Sequence, residues 1–235
     1  MIVYTTKTIP YQEHAKLVYA YGEEGLVSFL ARGVMKLDSP LSFAAEPFRL
    51  LDITLSKGSL PTLKEATLLN RYELAKKDLV KTMIHHVIGE TLSKNIAPED
   101  DHLKLLGLLM KVFTHLEKSP DPLSYLTVFL LKTFYFLGFG LHLGQCDECE
   151  NHHALGYDLF RLKTVCELHG ASSYDQHIYQ LITSYLKADL EKDTLSKLID
   201  GPKILEAIGR LFEEHLAFQS KALKELLRLV KKETL

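Results

Sequence analysis

All three cysteines of this 235-residue chain lie between Cys146 and Cys166. With the next histidine they read Cys146-x2-Cys149-x16-Cys166-x2-His169, two close pairs of soft ligands separated by an insert of hairpin size. Thiolate and imidazole donors at this spacing match a tetrahedral Cys3His site of the zinc type. Two residues between paired ligands make a tight turn whose backbone amides can donate to the thiolates. The insert then folds back and carries the second pair across. Four protein ligands leave no position open for water, so the expected role of one zinc ion is structural. His152 and His153 are alternative fourth ligands that lack the paired spacing of His169. Stray buried cysteines would be the plainer explanation, but all three fall in one register.

Other constellations that do chemistry are missing. Gln145 stands where a zinc deaminase has the proline of Pro-Cys-x-x-Cys. There is no His-Glu-x-x-His and no phosphate-binding glycine loop. No enzyme is expected. The opening Met1-Ile2-Val3-Tyr4-Thr5-Thr6-Lys7 has neither a basic n-region nor a long apolar run, and an odd cysteine count without a secretory signal predicts a cytoplasmic protein rather than a disulfide scaffold. The most apolar stretch, Leu126 to Leu143, carries Lys132 near its middle. A charge at that depth is costly in lipid, so a buried helix is expected and no membrane contact.

Two kinds of element must position these residues. At 46% hydrophobic and 25% charged, the chain has the composition of a folded protein of one large or two small domains. Residues 1–77 read as short strands: Ile2 to Thr5, His14 to Tyr21, Leu26 to Arg32, Phe48 to Leu55 and, less clearly because of Pro61 and Lys64-Glu65-Ala66, Leu60 to Leu69. Gly22-Glu23-Glu24-Gly25 and Ser56-Lys57-Gly58-Ser59 supply turns. Five strands in that length suit a small closed barrel of the OB type, with an SH3-like barrel or part of a sandwich as competitors. From Asp78, a candidate N-cap, the period becomes helical, with Leu79, Met83, Val87, Ile88 and Leu92 on one stripe. Pro98-Glu99-Asp100-Asp101 opens a second helix and Ser119-Pro120-Asp121-Pro122 ends it. Residues 123–137 are apolar nearly all round, which predicts the centre of a bundle. Further helices are expected from Tyr174, from Leu195, and from Gly201-Pro202 to the end. The expected fold is α+β: an OB-type barrel over 1–77, then a helical domain over 78–235 with a zinc-binding hairpin, 144–171, inserted in it.

The charge balance, 28 Lys and Arg against 30 Asp and Glu, advertises no polyanion partner. Any such surface must be local. Lys7, Lys16, Arg32, Lys36 and Lys57 could share one barrel face with Tyr4, Tyr11 or Tyr19, and bind single strands by phosphate contacts and base stacking. A solvated charged face with the aromatics in the core is the simpler reading. Near the end, Lys221, Lys224, Arg228, Lys231 and Lys232 recur at helical spacing opposite Leu223, Leu226, Leu227 and Val230, a basic amphipathic helix. It could offer its charges to phosphate or to an acidic peptide.

Three stretches resemble the RecO family of DNA repair and recombination mediator proteins. The first is Gly25-Leu26-Val27-Ser28-Phe29-Leu30-Ala31-Arg32-Gly33 with Lys36 following, then Pro47-Phe48 to Leu55. The second and most specific is Leu137-Gly138-Phe139-Gly140-Leu141-His142-Leu143-Gly144-Gln145-Cys146-Asp147-Glu148-Cys149. The third is His215-Leu216 followed by Ser220-Lys221. The resemblance implies an N-terminal OB domain, a helical C-terminal domain and an inserted zinc hairpin held by Cys146, Cys149, Cys166 and His169. It also implies binding to single- and double-stranded DNA, with Arg32 and Lys36 as contacts, and strand annealing. Implied partners are RecR and the acidic C-terminal tail of single-stranded-DNA-binding protein, in the cytoplasm at the nucleoid, with RecA loading as the outcome. The sequence departs from the family pattern where Val34, Met35, Leu37 and Asp38 dilute a loop usually rich in Lys and Arg, where Glu150 replaces a glycine, and where the fourth ligand is His. A zinc-stapled adaptor that binds protein and no DNA is the rival reading.

Overall fold

The computed structural model describes residues 1–97, 100–192 and 195–233. Pro98 and Glu99, the expected helix opening, lie outside the described residues. The chain folds as two compact units, Met1–Lys118 and Ser119–Leu235.

The first unit is built on five antiparallel strands, β1 (Ile2–Tyr11), β2 (Ala15–Gly22), β3 (Gly25–Ala31), β4 (Leu50–Leu55) and β5 (Leu63–Asn70), in the order β3-β2-β1-β4-β5. All five expected strands are present, and β1 runs well past Thr5. Gly22 pairs with Gly25 across the Glu23-Glu24 turn. Gly25 has φ +91, and a Cβ there would sit 2.7 Å from the His102 ring, so two independent constraints require glycine. The two outer strands meet as well: Leu30 bridges Thr62 in parallel, and its N–H donates to the Pro61 carbonyl at 2.8 Å. Alternation along the strands sends Val3, Val18, Ala20, Phe29, Leu51 and Ile53 inward, where Ala44 and Ala45 of a 3-10 turn (Ser42–Ala45) join them.

Helices α1 (Glu73–Lys76), α2 (Leu79–Asn95) and α3 (His102–Lys118) belong to the same unit. Asp78 caps α2 as expected, its carboxylate accepting the Lys81 N–H at 3.1 Å. The helices stay with the sheet because its outer face is also apolar. Tyr4 is fully buried among Phe48, Tyr72, His85 and Phe113, and is hydrogen-bonded to His85 Nδ1 at 2.5 Å. Tyr21 bonds His102 Nδ1 at 3.1 Å. The division between units therefore falls after three helices, whereas the change from strand to helix falls near residue 77.

The second unit contains α4 (Pro122–Phe136), the hairpin β6 (Leu155–Asp158) and β7 (Lys163–Cys166), α5 (Ser173–Lys187), α6 (Gly201–Leu216) and α7 (Lys221–Glu233). Helix α4 is central: Leu126, Val128, Phe129, Leu130, Leu131 and Phe134 are buried, and α5 and α6 pack on it. Lys132 reaches the Leu186 carbonyl at the end of α5, 2.8 Å away, which satisfies its ammonium. Among the described residues no helix is long and apolar enough to cross a membrane. A capping box, Ser172 with Asp175, starts α5.

Two helix expectations are corrected. No helix begins at Leu195; the segment is tied down by other bonds, with the Ser196 carbonyl accepting from Tyr185 Oη at 2.6 Å and the Leu198 N–H donating to Asp121 at 3.0 Å. The run from Gly201 is two helices rather than one. Ala217 is left-handed at φ 50, which stops α6, and Ser220 restarts the chain by accepting the Leu223 N–H at 3.0 Å.

Candidate metal centre and basic surfaces

Cys146, Cys149, Cys166 and His169 converge, with all four donor atoms within 4.8 Å of one another. Cys149 Sγ lies 3.7 Å from Cys166 Sγ, and His169 Nδ1 lies 3.6 Å and 3.4 Å from the Sγ atoms of Cys146 and Cys166. Metal–sulfur bonds of 2.3 Å and metal–nitrogen bonds near 2.0 Å at tetrahedral angles give about 3.8 Å between sulfurs and about 3.6 Å between sulfur and nitrogen. These three distances match those that one four-coordinate ion would impose. The donor set would suit a soft divalent metal, and His169 is the histidine that stands with the three cysteines in this group. His152 is engaged elsewhere, its Nδ1 bonded to the Gly144 carbonyl at 2.7 Å, and His153 is outside the cluster.

Local bonds explain how the sequence presents these ligands. The Cys146 N–H donates to the Asn151 carbonyl at 2.8 Å and its carbonyl accepts from Glu150, closing the first turn. Glu150 itself is at φ 57, the left-handed position where a glycine would be free of strain. Asp147 stitches the two ligand pairs together: its N–H donates to the Thr164 carbonyl and its carboxylate accepts the Thr164 N–H, both at 2.8 Å. After β7, the Ala171 N–H donates to the Cys166 carbonyl at 3.0 Å, and Gly170 at φ +94 turns the chain. Burial opposes ionisation of Cys146 and Cys166, but backbone N–H donors, from Glu148 to Cys146 and from His169 to Cys166, prevail and hold both thiols below the ordinary value. Cys149 receives an N–H from Asn151, yet desolvation and the neighbouring thiols keep it above that value. The buried apolar cluster beside the ligands is small, formed by Cys146, Leu155 and Cys166 with the flank of Tyr179 against it.

The basic candidates are dispersed. On the first unit, Lys7 is exposed on β1 directly opposite Tyr19 of β2, also exposed. Lys16 is half-buried and donates to the Ala45 carbonyl at 3.2 Å, so it belongs to the other end of β2. Arg32 and Lys36 are exposed in the loop after β3, and Lys57 in the turn between β4 and β5. Of the aromatics, Tyr11 is exposed, whereas Tyr4 is buried against the helices and offers no face to a base. On the second unit, Lys221, Lys224 and Arg228 are exposed on α7; Lys224 bonds Gln219 at 2.6 Å and Arg228 bonds Glu225 at 2.5 Å.

Sequence reasoning missed the wall opposite Lys7. A groove of about 830 Å³ in the first unit is floored by Lys7, Tyr19, Leu26 and Ser28 and walled by His86, Gly89, Glu90, Ser93 and Lys94 of α2. The available signal was Gly89, a glycine inside a strongly helical run. It sits against Thr6 of β1, where an added Cβ would lie 3.5 Å from the Thr6 Cβ.

Comparison with known proteins covers both units. Residues 3–72 match the family described as Recombination protein O N terminal, and residues 76–226 match Recombination protein O C terminal. Among individual relatives, the chain is 27% identical over 145 residues to the DNA repair protein RecO of Bacillus pumilus, covering 61% of this chain and 57% of that protein. It is 26% identical over 145 residues to RecO of Syntrophomonas wolfei, at 61% and 58% coverage. The matched region thus spans a little over half the length of these relatives. The two family matches run in order over most of the chain, and it belongs to the RecO family.

Proposed function

We propose that the chain is a DNA-binding recombination mediator of DNA repair, stapled by one structural zinc ion. The observation that carries this reading is the pair of RecO family matches, N-terminal over 3–72 and C-terminal over 76–226. In this reading the five-stranded sheet is an OB-type barrel, supported by the order β3-β2-β1-β4-β5 and the parallel Leu30–Thr62 bridge that draws its outer strands together. Zinc is the ion of choice for three thiolates and an imidazole in a closed tetrahedral set, and Cys146, Cys149, Cys166 and His169 would hold it.

Single-stranded DNA lies along the groove beside Lys7 and Tyr19, with phosphates near Lys7 and Lys94 and a base against Tyr19. Arg32, Lys36 and Lys57 extend the basic contacts on the first unit, and Lys221, Lys224 and Arg228 provide a second surface. Lys16, spent on Ala45, contributes least. Holding two strands with their repulsion screened promotes annealing without bond chemistry, so the protein acts as a binder and not as an enzyme. RecR and the acidic tail of single-stranded-DNA-binding protein are the proposed protein partners, and the cytoplasm at the nucleoid is the proposed location.

The test is a salt titration of binding to a single-stranded oligonucleotide. A complex driven by Lys and Arg loses affinity linearly in log–log form as counterions return. Absence of binding at low salt would instead favour the protein-only adaptor, the reading that the net charge of −2 supports.

A further inference from the structure

The tip of the metal hairpin displays an aromatic ring in water and holds it there. Phe160, between β6 and β7, is 84% exposed. Its backbone is nevertheless fixed. The Asp158 carboxylate accepts the N–H groups of Phe160 at 2.8 Å and Arg161 at 3.0 Å, and the Leu162 N–H closes the turn on the Asp158 carbonyl at 2.8 Å. From α6, Arg210 donates to the Leu159 carbonyl and, at 2.9 Å, to that of Phe160. The Arg210 guanidinium also lies 6.0 Å from the Phe160 ring centroid, within cation–π reach. None of these bonds involves the metal ligands.

The surroundings select what the ring can receive. Arg161 and Lys163 flank it and are exposed, while Leu159 and Leu162 are half-buried in the hairpin. The Asp158 carboxylate is committed to the turn and to Arg161 Nε at 3.5 Å, and Lys163 to Glu148 at 3.3 Å. A protein hot spot needs a surrounding belt of contacts that excludes water, whereas the exposed neighbours of this ring along the chain, Arg161 and Lys163, are cationic. An unpaired nucleobase needs one π face and a nearby cation, which are present. We propose that Phe160 is a stacking platform for an unpaired base of single-stranded nucleic acid, with Arg161 taking the adjoining phosphate and Arg210 fixing the platform. This rests on the DNA-binding reading above.

The chain contains no tryptophan, so Phe160→Trp introduces a lone indole at the tip. Its fluorescence should be quenched by an unlabelled single-stranded oligonucleotide. Phe160→Ala should weaken binding to that oligonucleotide about fivefold or more, with metal content and circular dichroism unchanged. Because no charge is lost, its log–log salt slope should equal that of the wild type, whereas Arg161→Gln should lower the slope by about 0.7. Wild-type affinity in Phe160→Ala with unquenched Phe160→Trp, in a protein that does bind DNA, would overturn the platform and leave the DNA reading standing. A wild-type protein that binds no single strand at low salt would remove both.

Discussion

The sheet-and-helix unit and the Cys3His hairpin are built by opposite means. In the first, five rings from five separate segments of the chain, Tyr4, Phe48, Tyr72, His85 and Phe113, are buried against one another; His85 and Phe113 stack at 4.3 Å and Tyr4 and Phe113 meet at 4.6 Å. In the second, four short-range ligands converge over a core of only a few apolar side chains. Burial is additive and tolerant, because many contacts share the load. A ligand set is all-or-none. With the proposed zinc ion bound, the molecule would pair a distributed core with a local clamp, and the two should fail under different insults.

The largest expected effect is removal of the clamp. Cys166→Ser, or a strong chelator, should release one zinc ion per chain, measured by atomic spectroscopy. It should collapse the 144–171 hairpin in hydrogen exchange, since structural zinc contributes on the order of 10 kcal/mol to folding in small sites. The sheet amides of residues 2–70 should keep their protection. Loss of protection in both units together would break the contrast.

Backbone geometry gives the next effect. Gly25→Ala places a Cβ against the His102 ring at 2.7 Å on a backbone with φ +91. Two penalties of about 1–3 kcal/mol act together, and the denaturant midpoint of the first unit should fall while zinc content stays at one.

Acid should find the first unit through His85. Burial, helped by Lys76 and His86, holds its pKa down at about 3, against about 6.5 in an unfolded chain. The unfolded state therefore binds a proton that the folded state refuses. Stability from this residue is fully present above about pH 6.5 and declines as pH falls toward 3, by up to about 1.4 kcal/mol per pH unit. Chemical unfolding between pH 7 and 4 measures the slope. Tyr4→Phe with His85→Phe, which removes both polar partners at once, should flatten it. An unchanged slope would show that the imidazole takes no part.

The smallest effect is at the surface. Lys7→Ala should leave stability within about 0.5 kcal/mol and lower the salt slope of DNA binding by about one. Lys16→Ala should leave that slope nearly unaltered.

The same contrast explains what could be read in advance. The ligand quartet was legible because its chemistry is written in spacing over 24 consecutive residues, Cys146 to His169. Strands showed through alternation and α4 through its uniform apolarity. The aromatic cluster was not legible: nothing in the neighbourhood of Tyr4 shows that His85, 81 positions on, will bury it, so the sequence left Tyr4 open between a core ring and a barrel face. The false helix at Leu195 has a similar cause, because bonds to Tyr185 and Asp121 override a local pattern that suits a helix. The groove escaped notice because its floor belongs to β1, β2 and β3 and its wall to α2, joined only by folding.

The placement of β1 has a kinetic corollary. This strand pairs with β2 beside it in sequence and also with β4, Ile2 facing Asp52, while the Leu30 contact with Pro61 and Thr62 completes the circuit. The β1–β2–β3 meander can form early from neighbouring hairpins, but enclosure must wait for the chain beyond residue 50 to return. Topologies rich in such distant pairings cross their folding barrier slowly. The Leu30 amide should accordingly be among the last sheet amides protected in pulse-labelled refolding, after those joining β2 to β3.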